Sequence, residues 1–321
     1  MQEQDPGFNK DQMMVINSNE NPAKDALMNE IKALPNVQSV TMSSSVPGTG
    51  NPMAYSEIQN ARGEMQAANL DLYFIDFNYL KQFGIKMAAG RMFSREFMTD
   101  TTQAMILNES AVKLFGYHSP QDAIGRNFDQ WGRKGKIIGV IKDFHFMSLQ
   151  NEIRPLVLRI EPQQCNLITI QVSPTHLQET IASIENKWNA LLPSLPFSYF
   201  FVDENFASHY ASEERFGKIF LNFGVLAIIM SCLGLLGLAS YSTVQRTREI
   251  GIRKVLGATV PAIVKLLTTD FLKLVVIAVT VASPVAWLIM HRWLQDFAYR
   301  IPVAWWIFVV AGFAAALVAA A

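Results

Sequence analysis

The stretch Thr247-Arg-Glu-Ile-Gly-Ile-Arg-Lys-Val-Leu-Gly-Ala258 separates two long apolar segments, and this placement governs how the rest of the chain is interpreted. Residues 219–245, just before it, contain no Asp, Glu, Lys or Arg, and residues 274–290 form a second apolar run. About 20 apolar residues are enough for a helix to cross a bilayer. The sequence therefore predicts two membrane spans joined by a short basic connector.

A third apolar run follows, so we expect spans at about 219–242, 272–290 and 303–321. The connector between the first two spans carries six basic and two acidic side chains. The loop between the second and third spans carries two basic side chains and one acidic side chain. Short cytoplasmic loops are enriched in Lys and Arg. We therefore expect a cytoplasmic coupling segment at 246–270 and an extracytoplasmic domain at 1–210, with a stalk starting at residue 211.

Charge divides the chain in the same way. Residues 1–218 carry 19 basic and 24 acidic side chains, whereas residues 219–321 carry 8 and 3. This balance predicts a mildly acidic soluble domain followed by a membrane region with basic anchors. No segment of the sequence is basic enough to predict a nucleic-acid partner. The sequence contains no Walker A and no Gly-x-Ser-x-Gly motif, so we expect neither a nucleotide cofactor nor a catalytic site in this chain.

The first 210 residues show a strand–helix–strand pattern near each end. These patterns lie at 12–17, 23–34 and 37–42, and at 167–172, 175–192 and 197–202. The segment between them mixes short strands with one helix at 108–116. We therefore expect an α+β, two-lobed domain, with an end lobe at about 10–50 and 163–205 and an inserted lobe at about 53–160. An all-α membrane domain of three transmembrane helices would follow.

The connector has the spacing of a helix with two different faces. The polar face would carry Arg246, Glu249 and Arg253, and the apolar face Ile252, Val255 and Leu256. Glu249 and Arg253 can pair across one turn, Gly257 can end the helix, and Thr259 can cap the next one. Two interpretations fit this pattern: a docking surface for a partner protein, or an amphipathic helix lying on lipid headgroups.

Small residues recur at helical spacing inside the spans. They are Gly234, Gly237 and Ser240 in the first span, and Gly312 and Ala316 in the third. Such spacing lets helices approach closely, so these residues are candidates for helix packing, although Gly and Ala are also common in membrane helices generally.

Two other motifs carry weaker signals. Glu109, Asp143 and His145 could form a metal or acid–base site, but hydrogen bonding within a strand-rich domain is the favoured interpretation. Pro47-Gly-Thr-Gly50 follows a strand but lacks the Gly-Lys-Ser/Thr ending of a phosphate loop, so we interpret it as a turn.

The block Glu249–Ala258, directly after a span, resembles the FtsX/MacB-type permeases of ABC transporters. Four segments of the N-terminal part resemble the periplasmic core domain of that family, in the duplicated form found in Bacteroidetes-like bacteria. They are Ala89-Gly-Arg-Met-Phe-Ser94, Ile106-Leu-Asn-Glu-Ser-Ala111, Ala123-Ile-Gly-Arg126 and Ile138-Gly-Val-Ile-Lys-Asp-Phe-His145. The resemblance implies a fragment that lacks at least one upstream span and a C-terminal tail.

The resemblance also implies a function. A separate ABC ATPase would dock on the connector and drive the periplasmic domain, for efflux, lipoprotein extraction or hydrolase activation in the bacterial inner membrane. The further partners would be a second permease half or a homodimer partner, membrane lipid and a periplasmic accessory protein. The residues assigned to ATPase coupling are Arg246, Arg248, Glu249, Ile250, Gly251, Ile252, Arg253, Lys254, Leu256, Gly257 and Ala258. A membrane-anchored extracytoplasmic ligand sensor is the alternative.

Overall fold

The computed structural model describes residues 6–19, 21–147, 152–257, 259–294 and 304–320. The chain divides into two compact units, Met1–Ala211 and Ser212–Ala321. The first unit mixes strands and helices and the second is helical, so an α+β domain followed by a helical region is confirmed.

The strands of the first unit form one sheet. They are β1 Met13–Asn17, β2 Val37–Ser43, β3 Met53–Gln59, β4 Met65–Ile75, β5 Met87–Gly90, β6 Ala104–Asn108, β7 Asn127–Gln130, β8 Arg133–Ile141, β9 Leu156–Ile160, β10 Leu167–Val172 and β11 Tyr199–Phe201. The helices of this unit are α1 Lys24–Lys32, α2 Tyr79–Gln82, α3 Glu109–Leu114 and α4 Leu177–Leu191. Each strand and helix predicted at the two ends of the domain is present, with boundaries that differ by at most two residues.

Strand order separates the sheet into two groups. The end group is β11-β1-β10-β2, and adjacent strands within this group are antiparallel. The insert group is β4-β3-β7-β8-β6-β9, with β5 beside β8. β9 also pairs with β4 in parallel, so the pairings of the insert group close into a ring. The groups correspond to the two predicted lobes, but Met1–Ala211 is one compact unit, so separate lobes remain a prediction.

Apolar side chains cover both faces of the sheet in the end group. On β1, Met14 and Ile16 belong to one apolar cluster, whereas Met13 and Val15 belong to another. Successive side chains of a strand point to opposite faces, so a strand covered on both sides is apolar at consecutive positions. The first cluster also contains the fully buried Trp188 of α4.

Four further helices continue the chain into the second unit. They are α5 Val202–Gln245, which begins in the first unit and includes the predicted stalk, α6 Thr247–Val255, α7 Val260–Leu294 and α8 Trp306–Ala320. Arg215–Gln245 and Leu272–Arg292 are long and apolar enough to cross a membrane. α8 is apolar but only 15 residues long, and the predicted span at 303–321 lies partly outside the described residues. The third span therefore remains a prediction.

Candidate ATPase-coupling segment

The predicted connector helix is present as α6, and its two ends are defined by local hydrogen bonds. At the start, the Ile250 N–H donates to the Arg246 carbonyl at 2.9 Å, and the Thr247 hydroxyl donates to the carbonyls of Thr243 and Val244 in the last turn of α5, at 3.1 and 2.7 Å. At the end, the Leu256 N–H donates to the Ile252 carbonyl at 3.0 Å, and Gly257 follows with a φ of +91°. A residue with a side chain rarely adopts this φ, which explains why a glycine ends the helix.

The polar face of α6 carries the expected ion pair. Arg253 Nη2 lies 2.7 Å from Glu249 Oε1, and about half of each side chain is exposed. In an isolated helix such a pair contributes only about 0.2–0.5 kcal/mol. The pair therefore orders two side chains on the surface without adding much stability.

The apolar face of α6 is uncovered. The exposed fractions of Ile252, Val255 and Leu256 are 64, 89 and 80%. Together with Arg248 and Gly251, these side chains line a shallow concavity. A contiguous exposed apolar surface commonly marks a site of contact with a protein or a membrane. The face can bury three aliphatic groups against a partner without any change in α6 itself.

The remaining residues assigned to coupling lie along the same segment. Arg246, Arg248, Gly251 and Lys254 are exposed, and Ile250 is partly buried. Ala258 lies outside the described residues. The predicted segment 246–270 thus comprises α6 and the first part of α7, and its coupling role remains a prediction.

Among the helix-packing candidates, Gly312 lies at a contact between two helices. A Cβ built at Gly312 of α8 would lie 3.2 Å from Val279 Cγ1 of α7. At Gly234 and Gly237 of α5, a Cβ would meet no atom within 4 Å among the described residues. Ser240 is exposed and Ala316 is partly buried. The α5 candidates therefore remain predictions about a helix contact that the described part of the chain does not make.

The weak polar motif of the first unit has a structural role. Glu109 Oε2 accepts a hydrogen bond from the Asp143 N–H at 3.0 Å, and the Asp143 carboxylate accepts the Ser110 N–H and hydroxyl at 2.9 and 2.8 Å. These bonds attach the first turn of α3 to the segment after β8. Among the described residues, no group of three or more His, Cys, Asp or Glu side chains could hold a metal ion.

The Pro47–Gly50 segment is a turn, as predicted, but sequence reasoning missed its neighbour. The Thr49 N–H donates to the Val46 carbonyl at 3.0 Å, and Gly48 has a φ of +86°. The side-chain amide of Asn205, in the first turn of α5, donates to the Gly48 carbonyl at 2.9 Å. The only signal in the sequence was the pair of glycines, which does not identify a contact 157 residues away.

Two family models match separate parts of this chain. A model of the MacB-like periplasmic core domain matches residues 1–187, more than half of the chain, and a model of the FtsX-like permease C-terminal domain matches residues 221–321. Neither model describes an ATPase domain.

Curated relatives match at low identity. The macrolide export ATP-binding/permease protein MacB of Aggregatibacter actinomycetemcomitans is 24% identical over 209 residues, which cover 61% of this chain and 32% of that protein. The uncharacterized ABC transporter permease YvrN of Bacillus subtilis (strain 168) is 23% identical over 208 residues, which cover 58% of this chain and 49% of that protein. The match thus spans less than half the length of each relative.

Solved structures are also similar. The periplasmic region of MacB from Actinobacillus actinomycetemcomitans aligns with a TM-score of 0.47 and 16% identity, covering 65% of this chain and 97% of that one. The extracellular domain of the transporter YknZ from Gram-positive bacteria aligns with a TM-score of 0.42 and 17% identity, covering 58% and 97%. On the two family matches, the chain belongs to the FtsX/MacB-type permeases of ABC transporters, with a MacB-like periplasmic core domain and an FtsX-like C-terminal domain.

Proposed function

We propose that this permease receives ATP-driven motion from a separate ABC ATPase through α6 and passes it to the periplasmic domain. The family implies an ATPase partner. The observation that carries the proposal is the uncovered apolar face of α6, directly after a helix long enough to cross a membrane. The work done outside would be efflux, lipoprotein extraction or a related task on the periplasmic side.

The chemistry of α6 suits a docked helix. Fully burying an aliphatic side chain contributes roughly 1.5–3 kcal/mol relative to leaving it in water. Ile252, Val255 and Leu256 are already positioned on one face, so docking requires no rearrangement of the helix. The half-exposed Glu249–Arg253 pair flanks this face and can orient the partner through charge. A short rigid helix held in this way moves with the subunit that grips it.

The proposal also specifies the membrane topology of the chain and its further partners. The loop charges favour α6 on the cytoplasmic side and the first unit in the periplasm of a bacterial inner membrane. A second permease half or a second copy would complete the transporter, membrane lipid would cover the long apolar helices, and a periplasmic accessory protein would receive the movement. The matched permease domains favour this reading over a ligand sensor.

Charge reversal on α6 tests the proposal. The chain is purified from its own membranes as Glu249→Lys, and copurified ABC ATPase and ATP hydrolysis are measured. The pair with Arg253 contributes too little for its loss to unfold α6. We therefore expect a normal amount of inserted protein but a loss of the ATPase. Glu204→Lys, an exposed change in the first turn of α5, is the matched control and should retain it.

A second variant examines the apolar face. Val255 is 89% exposed, so Val255→Asn should leave the chain itself unchanged, but it places an amide where the partner would bury a methyl group. Retention of the ATPase at the parental level by both Glu249→Lys and Val255→Asn would reject docking at α6. The helix would then be assigned to the lipid surface.

A further inference from the structure

The end group and the insert group of the sheet are joined by two chain crossings. Crossing one is residues 44–52, between β2 and β3, and crossing two is residues 161–166, between β9 and β10. The two groups pair directly at one position, where Ser43 of β2 faces Ile75 of β4. Both groups also contribute to the two apolar clusters, so they meet through packed side chains as well as at this strand pair. The crossings are the chain segments that connect the groups, so what holds them bears on how one group can move against the other.

Crossing two is fixed to the end group by Lys24 of α1. Its ammonium donates to the carbonyls of Pro162, Gln163 and Cys165, each at 3.0 Å, and the residue is only 8% exposed. Hydrogen bonds from a charged donor are among the stronger ones in proteins. The amide of Gln82 in α2 adds a bond to the Thr169 carbonyl of β10 at 2.9 Å. This side of the junction is therefore held from several directions.

Crossing one is held by the first turn of α5. Asn205 donates to the Gly48 carbonyl at 2.9 Å, and the buried ring of Phe206 lies edge-on to Phe8, with ring centroids 5.5 Å apart. A Cβ at Gly48 would lie 3.2 Å from both Asn205 Nδ2 and Phe206 Cδ2. The helix turn and the crossing are thus in close contact. Close-packed atoms are hard to compress, so a displacement of the helix turn pushes on the crossing directly.

Crossing one also forms hydrogen bonds to the insert group at two points. The Gly48 N–H donates to the Phe146 carbonyl, in the segment after β8, at 3.0 Å. The amide of Asn51 donates to Asp71 of β4 at 2.7 Å, and Arg154, just before β9, lies 2.5 Å from the same carboxylate oxygen. A movement of crossing one therefore reaches β4 and the ends of β8 and β9.

We propose that the first turn of α5 is a lever that sets the orientation of the insert group relative to the end group. The lever acts on crossing one, and crossing two, clamped by Lys24, is the pivot. The inference rests on the proposed function only for the source of the force on α5. Asn205 and Phe206 are positioning residues in this scheme, since neither contacts a transported molecule.

The test measures the distance between the two groups in the full chain. Spin labels are attached at Asn29→Cys, exposed on α1, and Gln121→Cys, exposed in the insert, after Cys165→Ala and Cys232→Ala. Double electron–electron resonance then gives the distribution of distances between the two labels in detergent micelles. It is measured for the parent, Asn205→Ala and Phe206→Ala. Glu204→Ala, exposed on the same helix turn, is the matched control.

We expect the distribution to shift or broaden in Asn205→Ala and Phe206→Ala and to match the parent in Glu204→Ala. Parental distributions in both lever variants would overturn the proposal. Asn205→Ala removes the hydrogen bond to the Gly48 carbonyl and deletes no buried apolar side chain, so its distance distribution decides the proposal if Phe206→Ala fails to fold. The measurement needs no ATPase, so the lever can fail while docking at α6 stands, and docking can fail while the lever stands.

Discussion

Asp76 shows how burial makes a single carboxylate sensitive to pH. It follows β4, accepts a hydrogen bond from the Thr41 hydroxyl and another from the Asn78 N–H at 3.0 Å. Burial nevertheless raises the pKa of Asp76 above its ordinary value, because the hydrogen bonds only partly offset the loss of solvent around the charged form. Folding therefore favours the protonated carboxyl.

The sign of this shift gives a prediction. A group with a raised pKa stabilises the fold fully below its ordinary value of 3.8, and that stability is lost as pH rises through the raised pKa. Asp76→Asn removes the titrating proton, so its free energy of unfolding should fall less between pH 4 and pH 7 than that of the parent. Urea unfolding of residues 1–210 at several pH values measures this. Asp25→Asn, exposed on α1, is the control, and an unchanged slope in Asp76→Asn would contradict the prediction.

Lys24 provides a second prediction for a single residue. Lys24→Met keeps the length of the side chain but leaves the carbonyls of Gln163 and Cys165 without the ammonium donor, whereas the Pro162 carbonyl keeps the Cys165 N–H at 3.2 Å. Buried groups left without a partner typically cost about 1–3 kcal/mol. Urea unfolding should show a loss of this size, whereas Lys32→Met, at an exposed position of the same helix, should cost much less. Equal losses in the two variants would show that the ammonium clamp contributes nothing.

Among the helices, α7 and α8 approach closely at Gly312, where an added side chain would be crowded. Gly312→Leu would place a branched side chain against Val279, because even a Cβ at 312 would lie 3.2 Å from a Val279 methyl. We expect a lower melting temperature for the full chain in detergent micelles, since overpacking a contact typically costs about 1–3 kcal/mol.

Gly237→Leu on α5 is the matched comparison for this change. Among the described residues, no atom lies within 4 Å of a Cβ at Gly237, so the melting temperature of the single chain should not change. If α5 packs against a second permease half, the same variant should instead reduce association with that half in membranes. A loss of thermal stability in Gly237→Leu equal to that in Gly312→Leu would mean that the contact with Val279 is unimportant.

At the scale of the whole molecule, the orientation in the membrane is the decisive prediction. The loop charges predict that the first unit lies outside and α6 inside. Single cysteines at the exposed positions Arg62 and Lys254, with Cys165 and Cys232 replaced by Ala, are treated with an impermeant thiol reagent in intact spheroplasts. Only Arg62→Cys should react. Labelling of Lys254→Cys before lysis would reverse the proposed topology and remove α6 from the reach of a cytoplasmic ATPase.

Local features of this chain could be predicted from the sequence because they depend on neighbouring residues. The lengths of the two apolar helices follow from uninterrupted apolar runs, and the end of α6 follows from a glycine that tolerates a positive φ. The bounds of β10, Leu167–Val172, agree with the prediction residue for residue. The expected Glu249–Arg253 pair also formed, because one helical turn brings the two side chains together.

Contacts between distant parts of the chain were decided only by the tertiary structure. A period of two identifies the faces of a strand but not its neighbours, so the closing pair of β4 with β9 left no sign in the sequence. The same holds for two long-range hydrogen bonds. Lys24 lies 138 to 141 residues before the crossing-two carbonyls that it contacts, and Asn205 lies 157 residues after Gly48. Such contacts exist only after the sheet has assembled, because the assembled sheet is what brings their atoms within hydrogen-bonding distance.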